Sequence, residues 1–193
     1  MQTSIISWCI LSVTHYHQSF IYVAVAGVVA GGRANQKGAT ASLLCLPELS
    51  NYDVIEAGVQ DSRPYIEGIL YMVGNFPMWS PLHMRRVPCT LCRVPDRGVA
   101  TVHPARNTCL GNWTLEYTGF MMGSATSQNH GTDSICVDAD AEPQSPERSA
   151  YEGDGHGVMY GAISMTHTDC NPGDMTCPPY YEGQEILCAV CSV

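Results

Sequence analysis

The sequence predicts an all-β, disulfide-stapled fold built from two pseudo-symmetric repeats. Three observations predict it: ten cysteines in separated clusters, a chain of 193 residues with 18 Gly, 12 Pro and 10 Tyr but only 14% charged residues, and two matching strings, "VPCTLCRV" (Val87–Val94) and "ILCAVCSV" (Ile186–Val193). An even cysteine set of this size works as staples in an oxidising compartment and is rare in the cytosol. Little charge with much Gly, Pro and Tyr suits short strands joined by tight turns rather than long solvated helices.

The elements follow in chain order. Two apolar runs near the start, Ile5–Leu11 and Phe20–Ala30, fall short of the ~20 residues that a membrane-spanning helix requires. The first lacks the positive flank of a signal peptide, so either a leader has been removed or its boundary is blurred, or both runs are buried strands. "SFIYVAVAGVVAGG", "GILYMVG", "WTLEYTGFMMG", "GVMYGAISM" and "EILCAVCSV" are short apolar or alternating segments bounded by Gly or Pro, the pattern of strands. No amphipathic helix of normal length is evident. Pro47–Pro64 and Asp138–His156 are polar and read as loops, where β scaffolds place binding residues.

Overlaying the halves gives a consistent register, with gaps, at an offset of roughly 90–100 residues. Tyr22–Gly27 matches Tyr117–Gly123, Cys45 falls opposite Cys136, Gly68 matches Gly161, and the Cys-x-x-Cys strings coincide. The first repeat is placed at residues 1–95 and the second at 96–193, packed as one compact unit, with the Pro-bearing segment Pro95–Asn107 as a connector.

All ten cysteines, Cys9, Cys45, Cys89, Cys92, Cys109, Cys136, Cys170, Cys177, Cys188 and Cys191, are expected in disulfides. A zinc site from the two Cys-x-x-Cys pairs is disfavoured, because zinc ribbons separate their knuckles by roughly 15–20 residues and about 95 intervene here. A thioredoxin-like motif opens a helix, whereas these pairs sit in strand-like contexts. In a strand, positions i and i+3 face opposite sides, so the two sulfurs of each pair reach different partners. Cys9 and Cys45 are therefore assigned to Cys89 and Cys92, and Cys109 and Cys136 to Cys188 and Cys191, with the choice within each set open. Cys170 and Cys177 close a local loop of their own.

A net charge of −9 with nine Lys and Arg argues against nucleic-acid binding and against anionic membranes. An enzyme is not expected: an even, paired cysteine set leaves no nucleophile, and neither Gly-x-Ser-x-Gly nor His-Glu-x-x-His occurs.

The strings "RVPCTLCRVPDRG", "PARNTCLGNWTLEYTGFMMGS", "HGTDSICVD" and "CPPYYEGQEILCAVCSV" closely resemble the C-terminal domain of invertebrate short-chain collagen C4-like proteins. The same domain type occurs in a group of marine invertebrate lectins, of the tube-worm and feather-star kind. The resemblance spans roughly Phe20 to Val193 and departs in the first half, at "SWCILSVTHYHQSF" and at "NQKG", where the family has a His. It implies one of two functions: a secreted glycan-binding protein with N-acetylhexosamine preference, or an extracellular-matrix assembly module without sugar binding. With no collagen run in the chain, the lectin reading leads, its partners being glycans or glycoproteins and its state a homo-oligomer.

A lectin needs directional hydrogen bonds to hydroxyl or acetamido groups and an aromatic face for the apolar side of the ring. The loop Ser124–Ser134 offers Gln128, Asn129, His130 and Asp133, and Trp113, Tyr117 and Tyr160 are candidate stacking faces. The equivalent first-half loop, with Arg33, Asn35, Gln36 and Lys37, forms a weaker second site. No cofactor or metal is expected. His15 and His17 fit alternate positions of an edge strand, and Asp133, Asp138, Asp140 and Glu142 carry the oxygen ligands that calcium takes but lack EF-hand spacing. Glu116 alternates on its strand, and Asn112-Trp113-Thr114 has the form of a glycosylation acceptor.

Overall fold

The structure, a computed structural model, describes residues 4–9, 22–38, 40–51, 58, 63–144, 161–171 and 175–193. Within them the chain forms β1 (Ser4–Cys9), β2 (Tyr22–Gly32), β3 (Leu44–Pro47), β4 (Ile66–Gly68), β5 (Leu70–Tyr71), a 3-10 helix (Pro77–Leu82), β6 (Pro88–Pro95), β7 (Ala100–Pro104), β8 (Thr114–Ser124), β9 (Ile135–Asp138), β10 (Ala162–Met165) and β11 (Leu187–Ser192). The all-β reading holds, and both early apolar runs contribute strands. The connector does not stay a link: it contains β7, which pairs antiparallel with β11 from Ala100↔Ser192 to Pro104↔Cys188. "ATVHP" is short and half polar, which an edge strand tolerates because only one side must pair.

The strands build two sheets, one ordered β1-β6-β2-β3 with β4 also on β2, the other β5-β10-β8-β11-β7 with β9 also on β8. The sheets agree in detail. Gly27 lies opposite Pro47 and Cys89 in the first, and Gly119 opposite Asp138 and Cys188 in the second. The ladder skips Ala24 on β2 and Glu116 on β8, the same place in each. Beyond the ladders, Val29 N donates to Val87 O and Ile69 N to Val29 O, while Met121 N donates to Ile186 O and Thr166 N to Met121 O.

These registers revise the overlay drawn from the sequence. The counterpart of Gly27 is Gly119 rather than Gly123, and that of Gly68, opposite Ala30, is Met165, opposite Met122, rather than Gly161. Matching glycine to glycine misplaced both, because loops of unequal length shift the strands. Gly27 and Gly119 themselves are demanded by close approach: a Cβ there would lie 2.1 Å from Leu46 O and 1.7 Å from Val137 O.

One core joins both sheets. Val29, Ile69, Val87 and Cys89 from the first half pack in one cluster with Met122, Ile135, Val137 and Ile163 from the second. The chain crosses between sheets at β5: Ile69 N bonds Val29 O in the first, and Leu70–Tyr71 then pair in parallel with Ala162–Ile163 of β10 in the second. Tyr71, fully buried, meets Trp79 edge to face at 6.3 Å and donates its hydroxyl to Glu142 O at 3.3 Å. Burial, reinforced by the Asp138 and Glu142 carboxylates, pushes its phenol well above the usual tyrosine range.

Four disulfides are defined among the described residues: Cys45–Cys89, Cys109–Cys191, Cys136–Cys188 and Cys170–Cys177. Each agrees with the sequence assignment, and the second Cys-x-x-Cys pair sends its sulfurs to different partners. Cys92 is disulfide-bonded as well. The backbone of Cys9 stands in β1 opposite Thr90. Among the described residues no helix is long and apolar enough to cross a membrane.

Candidate functional site

The loops that leave β2 and β8 start alike. Gln36 N donates to Arg33 O at 3.1 Å in the first, and Gln128 N to Ala125 O at 3.0 Å in the second, the same turn in corresponding places. They then lie against one another. Asn129 N donates to Ala34 O at 2.8 Å and Asn129 Nδ2 to Asn35 O at 3.1 Å. His130 Nδ1 stands 3.0 Å from Gln36 O, so that nitrogen carries the proton, and its Nε2 is buried without a partner. Asp133 N donates to Ala41 O at 2.9 Å, and Ser42 Oγ to Asp133 Oδ2 at 3.0 Å.

The four polar residues that the sequence offered in the second loop are thus brought together, and their hydrogen bonds go to the protein. Gln128 completes the pattern by donating through Nε2 to Ala162 O and accepting at Oε1 from Ala162 N, at 3.2 Å for the latter. Gln36 has no such backbone clamp, and its Oε1 is buried without a hydrogen-bond partner. A buried carbonyl left unpaired costs roughly 1–3 kcal/mol.

On the far side of the first loop lies an open depression of about 640 Å³, lined by Gln36, Lys37, Gly38, Thr40, Arg63, Pro64 and Tyr65. Arg33 lies over the Tyr65 ring, its Cζ 5.4 Å from the centroid, and its Nε bonds Glu67 Oε2 at 3.0 Å. Glu67 in turn accepts from Gly161 N at 3.1 Å through Oε1. The wall of the depression is therefore tied through one half-buried carboxylate to the second sheet. It holds a cationic, amide and hydroxyl set beside one aromatic ring, the equipment for a polar ligand with an apolar face.

Compared with known proteins, the chain matches no family model, no curated protein and no solved structure.

The remaining candidates lie elsewhere. Trp113 precedes β8, at the opposite end of that eleven-residue strand from the loop, about 30 Å away at the usual rise per residue. There it is half-buried and packs edge to face on His103, centroids 5.5 Å apart. Tyr117 donates its hydroxyl to Cys136 O at 3.0 Å. Glu116, the residue skipped in the ladder, accepts from the Ser192 hydroxyl. Asn112 of the glycosylation string is exposed. Tyr160, His15 and His17 fall outside the described residues.

Of the acidic residues weighed for calcium, Asp138 Oδ1 accepts from Asp140 N at 3.0 Å and Asp133 is engaged by Ser42. The group of possible metal donors found among the described residues is His103, Cys109 and Cys191. Its two sulfurs form a disulfide and offer no thiolate, and His103 Nδ1 accepts from Leu110 N at 3.3 Å.

Sequence reasoning missed Thr40, Arg63 and Tyr65. "SRPY" stands at the end of the polar loop Pro47–Pro64, which the sequence marks as a place for binding residues without singling out these side chains. What brings it to Gln36 is contact between segments distant in sequence.

Proposed function

We propose that the protein is a secreted carbohydrate-binding protein whose sugar site is the depression beside the first loop. The observation that carries this reading is the lining itself: an open recess with the Gln36 amide, the Thr40 hydroxyl and the Tyr65 ring on walls braced by the second loop. A shallow recess of this make-up supplies the directional hydrogen bonds and ring contact that a pyranose takes, without any acid–base pair. The disulfides suit an oxidising, extracellular setting. The resemblance to lectin-type short-chain collagen C4-like domains supports carbohydrate binding and supplies the N-acetylhexosamine preference, but it departs at the first loop, so the placing of the site there rests on the lining of the depression alone. Shallow sites of this kind gain strength when several are displayed together in a homo-oligomer.

The test is a glycan array probed with native protein, with and without a calcium chelator, alongside Gln36→Ala and Tyr65→Ala variants checked for folding. Selective binding that both variants weaken supports the site. Binding that survives both, but is lost on substituting Asn129, His130 and Asp133 together in a protein that keeps its thermal stability, moves the site to the second loop. A blank array from folded protein overturns the lectin reading.

A second reading, an extracellular assembly module, is favoured by one observation. Leu44 and Leu46 on edge strand β3, with Leu49 just beyond, are exposed at 39%, 41% and 91%. An apolar sheet edge is a natural contact between chains. Light scattering of wild type against a Leu46→Glu, Leu49→Glu variant tests it: unchanged mass overturns it.

A further inference from the structure

We propose that Asn112 carries an N-linked glycan, which rests on the secreted reading above, and that this glycan guards the open edge of the second sheet. Asn112-Trp113-Thr114 is the one Asn-x-Ser or Asn-x-Thr string in the chain, and the sugar recess makes no use of it. The fold puts this asparagine at the tip of a tight turn. Trp113 N donates to Leu110 O at 3.3 Å, and Gly111 between them holds φ 58°, the left-handed position that glycine takes in such turns. The base of the turn is fastened three times: by the Cys109–Cys191 bridge, by His103 Nδ1, which accepts from Leu110 N, and by the Trp113 ring on His103. The tip, Gly111 and Asn112, is exposed. A branched sugar on the Asn112 amide therefore meets solvent rather than the sheet.

The surroundings give the glycan a task. Leu110 and Leu115, before and after the tip, are exposed at 52% and 38%, and Val99 and Val102 are exposed beside and on β7. Among the described residues β7 ends its sheet, paired on β11 alone. An open edge flanked by apolar side chains invites pairing with another chain, and natural proteins blunt or cover such edges. β7 has Pro104 at its far end and no lysine or acid along it. At its near end Ala100 lies opposite Ser192, and Ser192 opposite Thr114, so the last residue of the glycosylation string stands two strand spacings, about 10 Å, from the edge. A hydrated oligosaccharide rooted there spans that distance and keeps a second chain from the edge.

The step is a group transfer from a polyisoprenyl-diphosphate oligosaccharide, the donor that a eukaryotic secretory pathway supplies. Asn112 Nδ2 forms a bond to the anomeric carbon of the first N-acetylglucosamine while the bond from that carbon to the diphosphate breaks. The diphosphate leaves with the electron pair, and Nδ2 gives up one proton. Cys191 follows Asn112 by about 80 residues, so at about 5–20 residues per second the string stays unbridged for roughly 4–16 s of synthesis. The acceptor is thus open to the transferase before the turn is fastened.

The experiment expresses the full chain behind a cleavable leader in a eukaryotic secretory host and measures intact mass before and after peptide N-glycosidase, for wild type, Asn112→Gln, Thr114→Ala and Thr114→Ser. Wild type is expected to lose the mass of one glycan and to emerge deamidated at position 112, Asn112→Gln and Thr114→Ala to lose nothing, and Thr114→Ser, which keeps the hydroxyl, to retain the glycan. Oxidised protein in the medium at the mass of the bare chain overturns the glycan and leaves secretion standing. Protein retained in the cell with free thiols overturns secretion, and a bare mass there overturns the glycan as well. Light scattering at equal concentration tests the guard: Asn112→Gln should show at least twofold the mass of wild type, and adding Val102→Lys, which puts a charge on the edge, should return it. Equal masses for wild type and Asn112→Gln at matched melting temperatures overturn the shielding role.

Discussion

Gln128 and Gln36 stand at the same turn of two corresponding loops, yet one amide is clamped to the backbone of Ala162 and the other is left with a buried oxygen unpaired. Around them the same contrast runs on. The second loop spends Asn129, His130 and Asp133 on the first, and the first, so braced, lines an open recess with Gln36, Lys37 and Thr40. Two sheets with one hydrogen-bonding plan have divided the work: one loop is scaffold, its counterpart is surface. Polar residues in a loop thus mark a binding site only where their hydrogen bonds are not already taken by the protein.

The likeness of the two sheets is most severely tested at the glycines on which they agree. Gly119→Ala and Gly27→Ala should each cost more than about 4 kcal/mol, Gly119→Ala the more, because the added carbon would sit 1.7 or 2.1 Å from a carbonyl oxygen. Gly38→Ala and Gly131→Ala, with nothing within 4 Å, should stay within about 0.5 kcal/mol. Urea unfolding of the oxidised proteins measures all four, and equal effects at the two sets would break the comparison.

The division between loops comes next in size. Gln128→Ala strips both partners from the buried backbone of Ala162 and should cost about 2–3 kcal/mol, whereas Gln36→Ala, whose oxygen has none to lose, should cost less than about 1 kcal/mol. Chemical denaturation midpoints decide it. If both cost the same, the second loop is no more a scaffold than the first.

A third contrast appears only in alkali. Tyr71 N donates to Arg85 O as Thr168 N donates to Gln184 O, so the two occupy corresponding places, and only Tyr71 carries a titrating group. Its phenol is raised in the folded chain, so its contribution to stability is present in full below the ordinary value of 10.0 and is lost as pH rises toward the folded value. The stability of wild type relative to Tyr71→Phe should therefore fall by up to about 1.4 kcal/mol per pH unit above 10.0. A difference that stays flat with pH would remove the phenol from the account.

The smallest effect concerns backbone strain. Met84 holds φ 61° where the second sheet has Gly183 at φ 71°, and their amides donate to Tyr71 O and Thr168 O respectively. Met84→Gly should gain, and Gly183→Met lose, about 1 kcal/mol, since a side chain in the left-handed region is disfavoured by that order. Opposite signs in thermal melts sharpen the correspondence, and like signs would deny it.

Much of the fold was legible because β2 and β8 are long, apolar and bounded by Gly, and because each Cys-x-x-Cys string sits in a strand context that forces its sulfurs apart. The edge strand β7 was not, since a half-polar segment with one pairing side leaves little pattern. The site was legible only in part. The loops announced themselves by composition, but Asn129 reaching Asn35 is a contact 94 residues apart in sequence, which no local spacing encodes. Trp113, a candidate stacking face in the sequence, lies at the end of β8 away from the two loops, where the Cys109–Cys191 bridge folds its segment onto β11 beside His103.

The crossing strand β5 sets an order in time. During synthesis the first sheet can close on itself, including its Cys45–Cys89 bridge, but Leu70 and Tyr71 must wait for Ala162 and Ile163, about 90 residues behind them in the chain. At the usual pace of translation that wait is on the order of five to twenty seconds. Through that interval Leu70 and Tyr71 are paired on one side only, with Met84, Arg85 and Arg86 of their own half, and the edge that Ala162 and Ile163 will take stands open.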